Sequence, residues 1–180
     1  MRPRHVIFAA GDRGAWTIER IVASRGSTLP AATHLDVLEG HAPTGMSAWV
    51  LRGVTSNERY VTRAEQEALA SRQPPLGRAS ATRAALIPIH KTDAWWALAQ
   101  DERRRIFEER SRHVATGLRY LPAVARRLHH SRDLGEPFDF LTWFEFAPED
   151  EPAFDELVAL LRDTAEWAYV DREVEVRVAR

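Results

Sequence analysis

The sequence predicts an α+β fold, and three stretches carry that prediction. Residues 173–178, EVEVRV, alternate charged residues with valine without a fault, the period-two mark of a strand. Thr62 is followed three residues on by Glu65, a reciprocal capping pair that opens a helix, and Gln73, Pro74 and Pro75 close it. From Thr82 onward the segments run strand, helix, strand, strand, helix, strand, which is the ferredoxin-like order. Residues 81–180 are therefore read as a ferredoxin-like βαββαβ subdomain, and residues 1–80 as a shorter, helix-poor counterpart.

In chain order, Val6–Ala10 and Trp16–Ala23 read as strands around a GDRG turn at residues 11–14. That turn lacks the lysine and spacing of a phosphate loop, which argues against nucleotide binding. Residues 24–46, with Pro30, Pro43, Gly26, Gly40 and Gly45, read as loop with a short strand near Leu35–Leu38, and Ser47–Thr55 as a strand. Thr82–Ile89 is the next strand. Thr92 or Asp93 caps a helical region that runs, with a break near Asp101, to Gly117. Leu121–His130 is extended, DLGEP turns the chain, and Phe138–Phe146 is a strand rich in aromatics. Pro148 to Trp167 is a helix whose acidic start suits its dipole. No internal repeat or low-complexity segment is visible.

At 180 residues, 44% of them apolar and 28% charged, the chain can bury a core as a soluble globular protein does. A net charge of −1 offers no electrostatic footprint for nucleic acid or an anionic membrane. The absence of cysteine excludes disulfides, thiolate catalysis, iron–sulfur clusters and cysteine-ligated haem or zinc. Only five apolar residues precede Gly11, too few for a secretory signal, and no later run reaches membrane-spanning length, so the expected location is cytoplasmic. Among 25 basic residues Lys91 is the one lysine. In so arginine-biased a chain it is either a chance survivor or a place where a compact ammonium is required.

Of the seven histidines, His113 has the most informative setting. On a continuous helix it shares a stripe with Ile106, Arg110, Val114 and Gly117, so the ring points inward, and Gly117 leaves room for something flat. It is either a hydrogen-bonded core histidine or a ligand; no partner at i+3 or i+4 makes a zinc pair. Arg126 lies in an extended run where Val124, Leu128 and His130 point with it and Ala123, Ala125, Arg127 and His129 point away. If the Val124/Leu128 side is buried, Arg126 brings a permanent charge into a cavity; otherwise it is a solvated or ion-paired strand residue. Trp95 and Trp96 diverge by ~100° on a helix, so one must meet a ligand, a partner subunit or solvent. Glu166, beside Trp167, is either a surface acid or the acceptor behind a ligating imidazole.

The run KTDAWWALAQDERR…FEERSRHVATGLRYLPAVARRLHHSRDLGEPFDFLTWFEF, followed by LRDTAEWAYVDREVEVR, closely resembles the chlorite dismutase family, and its short-chain branch in particular. The likeness extends to SAWVLRGVTSNERYVTR and ALIPIHK. WW, the histidine, the arginine thirteen residues later and FDFLTWFE all occur in the family's order. The resemblance implies a dimeric α+β barrel with haem b in the C-terminal half and His113 as the iron ligand. It implies Glu166, or Asp163 in its place, as hydrogen-bond acceptor for His113, with Lys91 in that network. Arg126 would lie over the open face of the iron with Gln73 bonded to it. Trp95 and Trp96 would lie near the haem and its propionates, for which Asn57 and Tyr60 are further candidates.

The implied reaction converts chlorite to chloride and dioxygen through ferryl haem and a hypochlorite-level fragment held by Arg126. The implied partners are a small anionic substrate and a second copy of the chain. Coprohaem decarboxylases resemble the same fold but are longer and carry a non-arginine distal residue, against which Arg126 counts. A haem-binding, sensing or peroxidase-like member, or a haem-free barrel, is the other alternative.

Overall fold

The computed structural model describes residues 4–41, 43, 45–55 and 60–180. Every stretch of period-two patterning becomes a strand. These are β1 (Arg4–Gly11), β2 (Trp16–Arg25), β3 (His34–Glu39), β4 (Ser47–Thr55), β5 (Arg83–Lys91), β6 (Ala125–His130), β7 (Phe140–Phe146) and β8 (Val170–Ala179). All ladders are antiparallel, and the strands close into a barrel in the order β1-β3-β2-β8-β5-β7-β6-β4. The first four stand as β4-β1-β3-β2 and the last four as β8-β5-β7-β6, so both halves of the chain use one strand order. One seam is long, β2 on β8 from Thr17–Ala179 to Arg25–Glu173; the other, β4 on β6, rests on Val54–His130. Closure leaves no unpaired sheet edge to protect.

Alternation sorts each strand between two apolar compartments. Phe8, Trp16, Leu35, Leu51, Leu86, Leu141, Trp143 and Val176 fill the barrel interior. Ala85, Ile87, Phe144 and Phe146 face outward instead, against Phe154, Leu157 and Val158. Those three belong to one of five α-helices among the described residues: α1 (Arg63–Arg72), α2 (Asp93–Ala97), α3 (Gln100–Arg104), α4 (His113–Arg119) and α5 (Glu151–Arg162). No described helix is long and apolar enough to cross a membrane. The capping pair is present, with Thr62 and Glu65 bonding each other's backbone N–H at 3.3 and 2.7 Å. The polar face of β8 is covered as well. Glu173, Glu175 and Arg177 are buried, and Arg162 of α5 reaches Glu173 at 2.6 Å and Glu175 at 2.9 Å.

Three boundaries differ from the sequence reading. The helical region between Thr92 and Gly117 breaks twice rather than once: at Leu98–Ala99, and again at Ser111–Arg112 after a π-helical turn, Arg105–Arg110. The second break removes the continuous stripe expected for His113, because Arg112 takes the left-handed conformation at φ 52°. Residues 121–124 turn before β6 begins, with Val124 N–H bonded to Tyr120 O at 2.9 Å. The last helix stops at Arg162, and Glu166 sits on a separate 3-10 turn, Ala165–Tyr169.

His129, on the interior side of β6, is a core histidine. It is 2% exposed, its Nδ1 lies 3.1 Å from Leu141 O, and its ring stands edge-on to Phe8. Burial, opposed by the bond to Leu141, pushes its pKa down to about 4. The unfolded chain therefore binds this proton more readily, and folding stability falls as pH drops through the interval from about 6.5 to about 4. Urea unfolding at pH 7 and pH 5 is expected to show a loss of about 2 kcal/mol in the parent protein that is absent from His129→Leu. Parallel pH slopes in the two proteins would refute the assignment.

Candidate active site

Between the outward faces of β5, β6 and β7 and the helices α1, α4 and α5 lies a cavity of about 400 Å³. That is within the range of small-molecule and cofactor sites, roughly 300–1,000 Å³. Its walls are mostly apolar: Ile87, Ile89, Leu128, Phe140 and Phe144 from the strands, Leu69, Val114, Leu157 and Leu161 from the helices. Lys91, His113, Arg126 and Glu166 all line it as well.

His113 is the first residue of α4, placed there by the break before it. Glu108, on the π-helical turn, caps the new helix: its carboxylate accepts from Val114 N–H at 2.7 Å and Ala115 N–H at 3.3 Å. A carboxylate there satisfies two of the helix's unpaired donors and meets the positive end of its dipole. Phe107 stacks on the imidazole, centroids 4.5 Å apart.

Behind the ring stands Glu166, 5% exposed. Its Oε2 lies 2.8 Å from His113 Nδ1, its Oε1 accepts from Lys91 Nζ at 2.6 Å, and its backbone N–H donates to Ser111 Oγ at 3.0 Å. Burial alone would raise this carboxyl's pKa; the charges and hydrogen bonds of His113 and Lys91 outweigh it and hold the value down to about 2. An ionised Glu166 only accepts, so Nδ1 carries a proton, and in the neutral form of the ring the Nε2 lone pair is left to act. Asp163, the rival acceptor, is the exposed C-cap of α5. Lys91 Nζ also lies 4.5 Å from the Trp95 ring centroid and 5.8 Å from that of Trp167. A small ammonium fits between two indoles and a carboxylate; a guanidinium fork would not.

Arg126 projects from the outward face of β6, with Leu128 and His130, into the same cavity. The larger side of that segment is thus the one turned toward the helices. Its Nη1 donates to Gly117 O at 3.1 Å. The flat group for which Gly117 leaves room is this guanidinium.

The remaining candidates divide. Trp95 lines the cavity, 1% exposed, and its indole N–H is buried with no acceptor among the described residues. Trp96 is not in the cavity wall: it stacks on Phe140, lies under Arg132 and donates to Asp139 Oδ2 at 3.3 Å. Trp96 remains half-buried. Tyr60 lines the cavity at φ 66°, its ring edge-on to Trp95. Gln73 lines it too, and its amide nitrogen donates to Pro74 O at 3.2 Å. Asn57 lies outside the described residues. The sequence reading missed Glu108, Asp139 and Arg103. Arg103 is buried and donates to Trp95 O at 3.0 Å and Trp96 O at 2.6 Å, holding α2 at its C-terminal end. Glu108 and Arg103 act across breaks in the helical region that the sequence pattern does not place, and Asp139 only through long-range packing on Lys91 and Trp96. Among the described residues no group of three His, Asp or Glu could hold a metal, so His113 Nε2 is a single-donor position.

An eight-stranded barrel with an imidazole backed by a buried carboxylate in an apolar cavity defines a class of protein that its relatives resolve. The chlorite dismutase family model matches residues 38–180, and the chain belongs to the chlorite dismutase family. Among solved structures, the dimeric chlorite dismutase of Nitrobacter winogradskyi is 57% identical, with a TM-score of 0.91, over 97% of this chain and 99% of that one. The chlorite dismutase of Candidatus Nitrospira defluvii in complex with imidazole is 26% identical, with a TM-score of 0.58, over 80% of this chain and 56% of that one. The chlorite dismutase of Ideonella dechloratans is 34% identical over 84 residues, 47% of this chain and 27% of that protein's length.

The cap on α4 is directly testable by thermal unfolding. Glu108→Ala is expected to lower Tm by about 2–4 °C, with Glu108→Gln intermediate, since losing a helix cap costs ~1 kcal/mol. An unchanged Tm in both variants would show that α4 does not depend on this carboxylate.

Proposed function

We propose that this protein is a haem b enzyme that converts chlorite to chloride and dioxygen, working as a homodimer. The observation that carries the reading is the hydrogen-bonded row His113–Glu166–Lys91, facing the same apolar cavity as Arg126. Kinship with the 57%-identical dimeric chlorite dismutase supports both the activity and the dimer. The shared strand order of the two halves supports reading residues 1–80 and 81–180 as two ferredoxin-like subdomains, the first without its helices between β1 and β2 and between β3 and β4.

The residues present suit haem b. A carboxylate-backed imidazole with no group of three protein ligands among the described residues fits a metal that brings its other ligands in a macrocycle. The apolar walls fit a flat hydrophobic ring, and the orphaned indole N–H of Trp95 fits a carboxylate at that ring's edge. When bound, haem supplies the iron that exchanges an oxygen atom with chlorite. The chain's own groups do the rest. Glu166 accepts from Nδ1–H, orients the ring and makes Nε2 a stronger donor. Lys91 neutralises Glu166, so the carboxylate stays ionised although buried. Arg126 draws the anion into a site where water is sparse and a charge contact is worth several times its value in bulk water. One anion enters and one leaves, and no proton is consumed. A permanently charged guanidinium serves that balance better than a titrating acid.

Two variants and two measurements test this. His113→Ala is expected to lose the Soret band, whereas Arg126→Ala is expected to keep it, release oxygen from chlorite at least about tenfold more slowly, and inactivate sooner. Oxygen release on adding chlorite to the purified parent protein supports the enzyme. Haem without oxygen would select a binding or peroxidase-like role, and a normal Soret band in His113→Ala would remove that residue as the ligand.

A further inference from the structure

We infer that Gly117 is a positioning residue, a seat cut into α4 that holds the Arg126 guanidinium in the cavity. Glycine is unfavourable inside a helix by about 1 kcal/mol relative to alanine, and α4 has only seven residues, so this one needs a reason. Its φ gives none, because the residue is helical. The reason is space. A Cβ at position 117 would come within 2.7 Å of Arg126 Cζ and 2.8 Å of Nη1; the three nearest atoms it meets all belong to that guanidinium. Gly117 is itself buried, so the approach is not through solvent.

The seat also offers a bond. Gly117 O takes the C-cap N–H of Tyr120 at 3.3 Å and accepts from Arg126 Nη1 at 3.1 Å as well, in the last turn of α4, where the dipole favours a cation. The same short helix thus carries His113 at its first position and receives Arg126 near its end. Four residues of rise, about 6 Å, separate the two anchor points. One rigid element therefore sets the position of the imidazole and of the cation together. The seat stands on geometry alone; its consequence for the anion rests on the haem reading above.

A double-mutant cycle on the full chain separates these. Alanine at 117 adds helix propensity, so in the Arg126→Ala background Gly117→Ala is expected to raise Tm by about 2–4 °C. With Arg126 present the gain is expected to vanish or reverse, because the guanidinium is displaced from its carbonyl. The second measurement is fluoride binding to the ferric protein. Gly117→Ala and Arg126→Ala should each weaken it by about tenfold, the scale of one charge-assisted hydrogen bond, and the double variant no further. The same Tm shift in both backgrounds would overturn the seat, whether or not the protein holds haem. Fluoride affinity that is unchanged in Gly117→Ala, in protein with an intact Soret band, would overturn it as well. A missing Soret band would instead count against the haem reading and leave the Tm cycle decisive.

Discussion

The structure depends on one buried carboxylate. Glu166 is almost wholly removed from water, and an ionised group in that setting is tolerated only if its oxygens are taken. Lys91 takes one and His113 the other, from the end of β5 and the start of α4. Removing either partner would leave a charge stranded in the core. Strand end, helix start and the 3-10 turn after α5 are thereby held to one geometry. The arrangement also defines the tautomer of His113, so the constraint that stabilises the fold is the one that prepares Nε2.

Around that point local regularity gives way. The π-helical turn and the left-handed Arg112 end one helix and start another within two residues. Such conformations persist when surrounding contacts over-determine them. Here the Glu108 cap, the Phe107 stack and the Ser111 hydroxyl supply those contacts. An uninterrupted helix would place 113 in the middle of a stripe, with no free N-terminal donors for Glu108 to satisfy.

The barrel contributes by having two apolar faces where one would suffice for folding. Leu86, Leu141 and Trp143 close the interior, while Ile87, Ile89, Phe140 and Phe144 of the same strands wall the cavity. Arg126 and His129 show the two sides of β6. The arginine is offered to the cavity, and the histidine is spent on the core, held neutral by burial.

Strand positions, the capped helix Arg63–Arg72, the acidic start of α5 and the special status of Lys91, His113 and Arg126 were all legible in the sequence. They rest on local periodicity, capping chemistry and residue type, which act over a few residues. Which carboxylate faces His113, which tryptophan lines the cavity and what Gly117 makes room for were not legible. Glu166 and Asp163 are three residues apart, and only the end of α5 and the 3-10 turn decide between them. Trp95 and Trp96 are neighbours, parted by Lys91 against the ring of the first and Asp139 bonded to the second. Composition and pattern determined that this chain is an α+β protein with an imidazole and a guanidinium to explain. Tertiary structure alone decided that they share one cavity, because residues 91, 113, 126 and 166 meet around it only when the barrel closes and the helices pack on it.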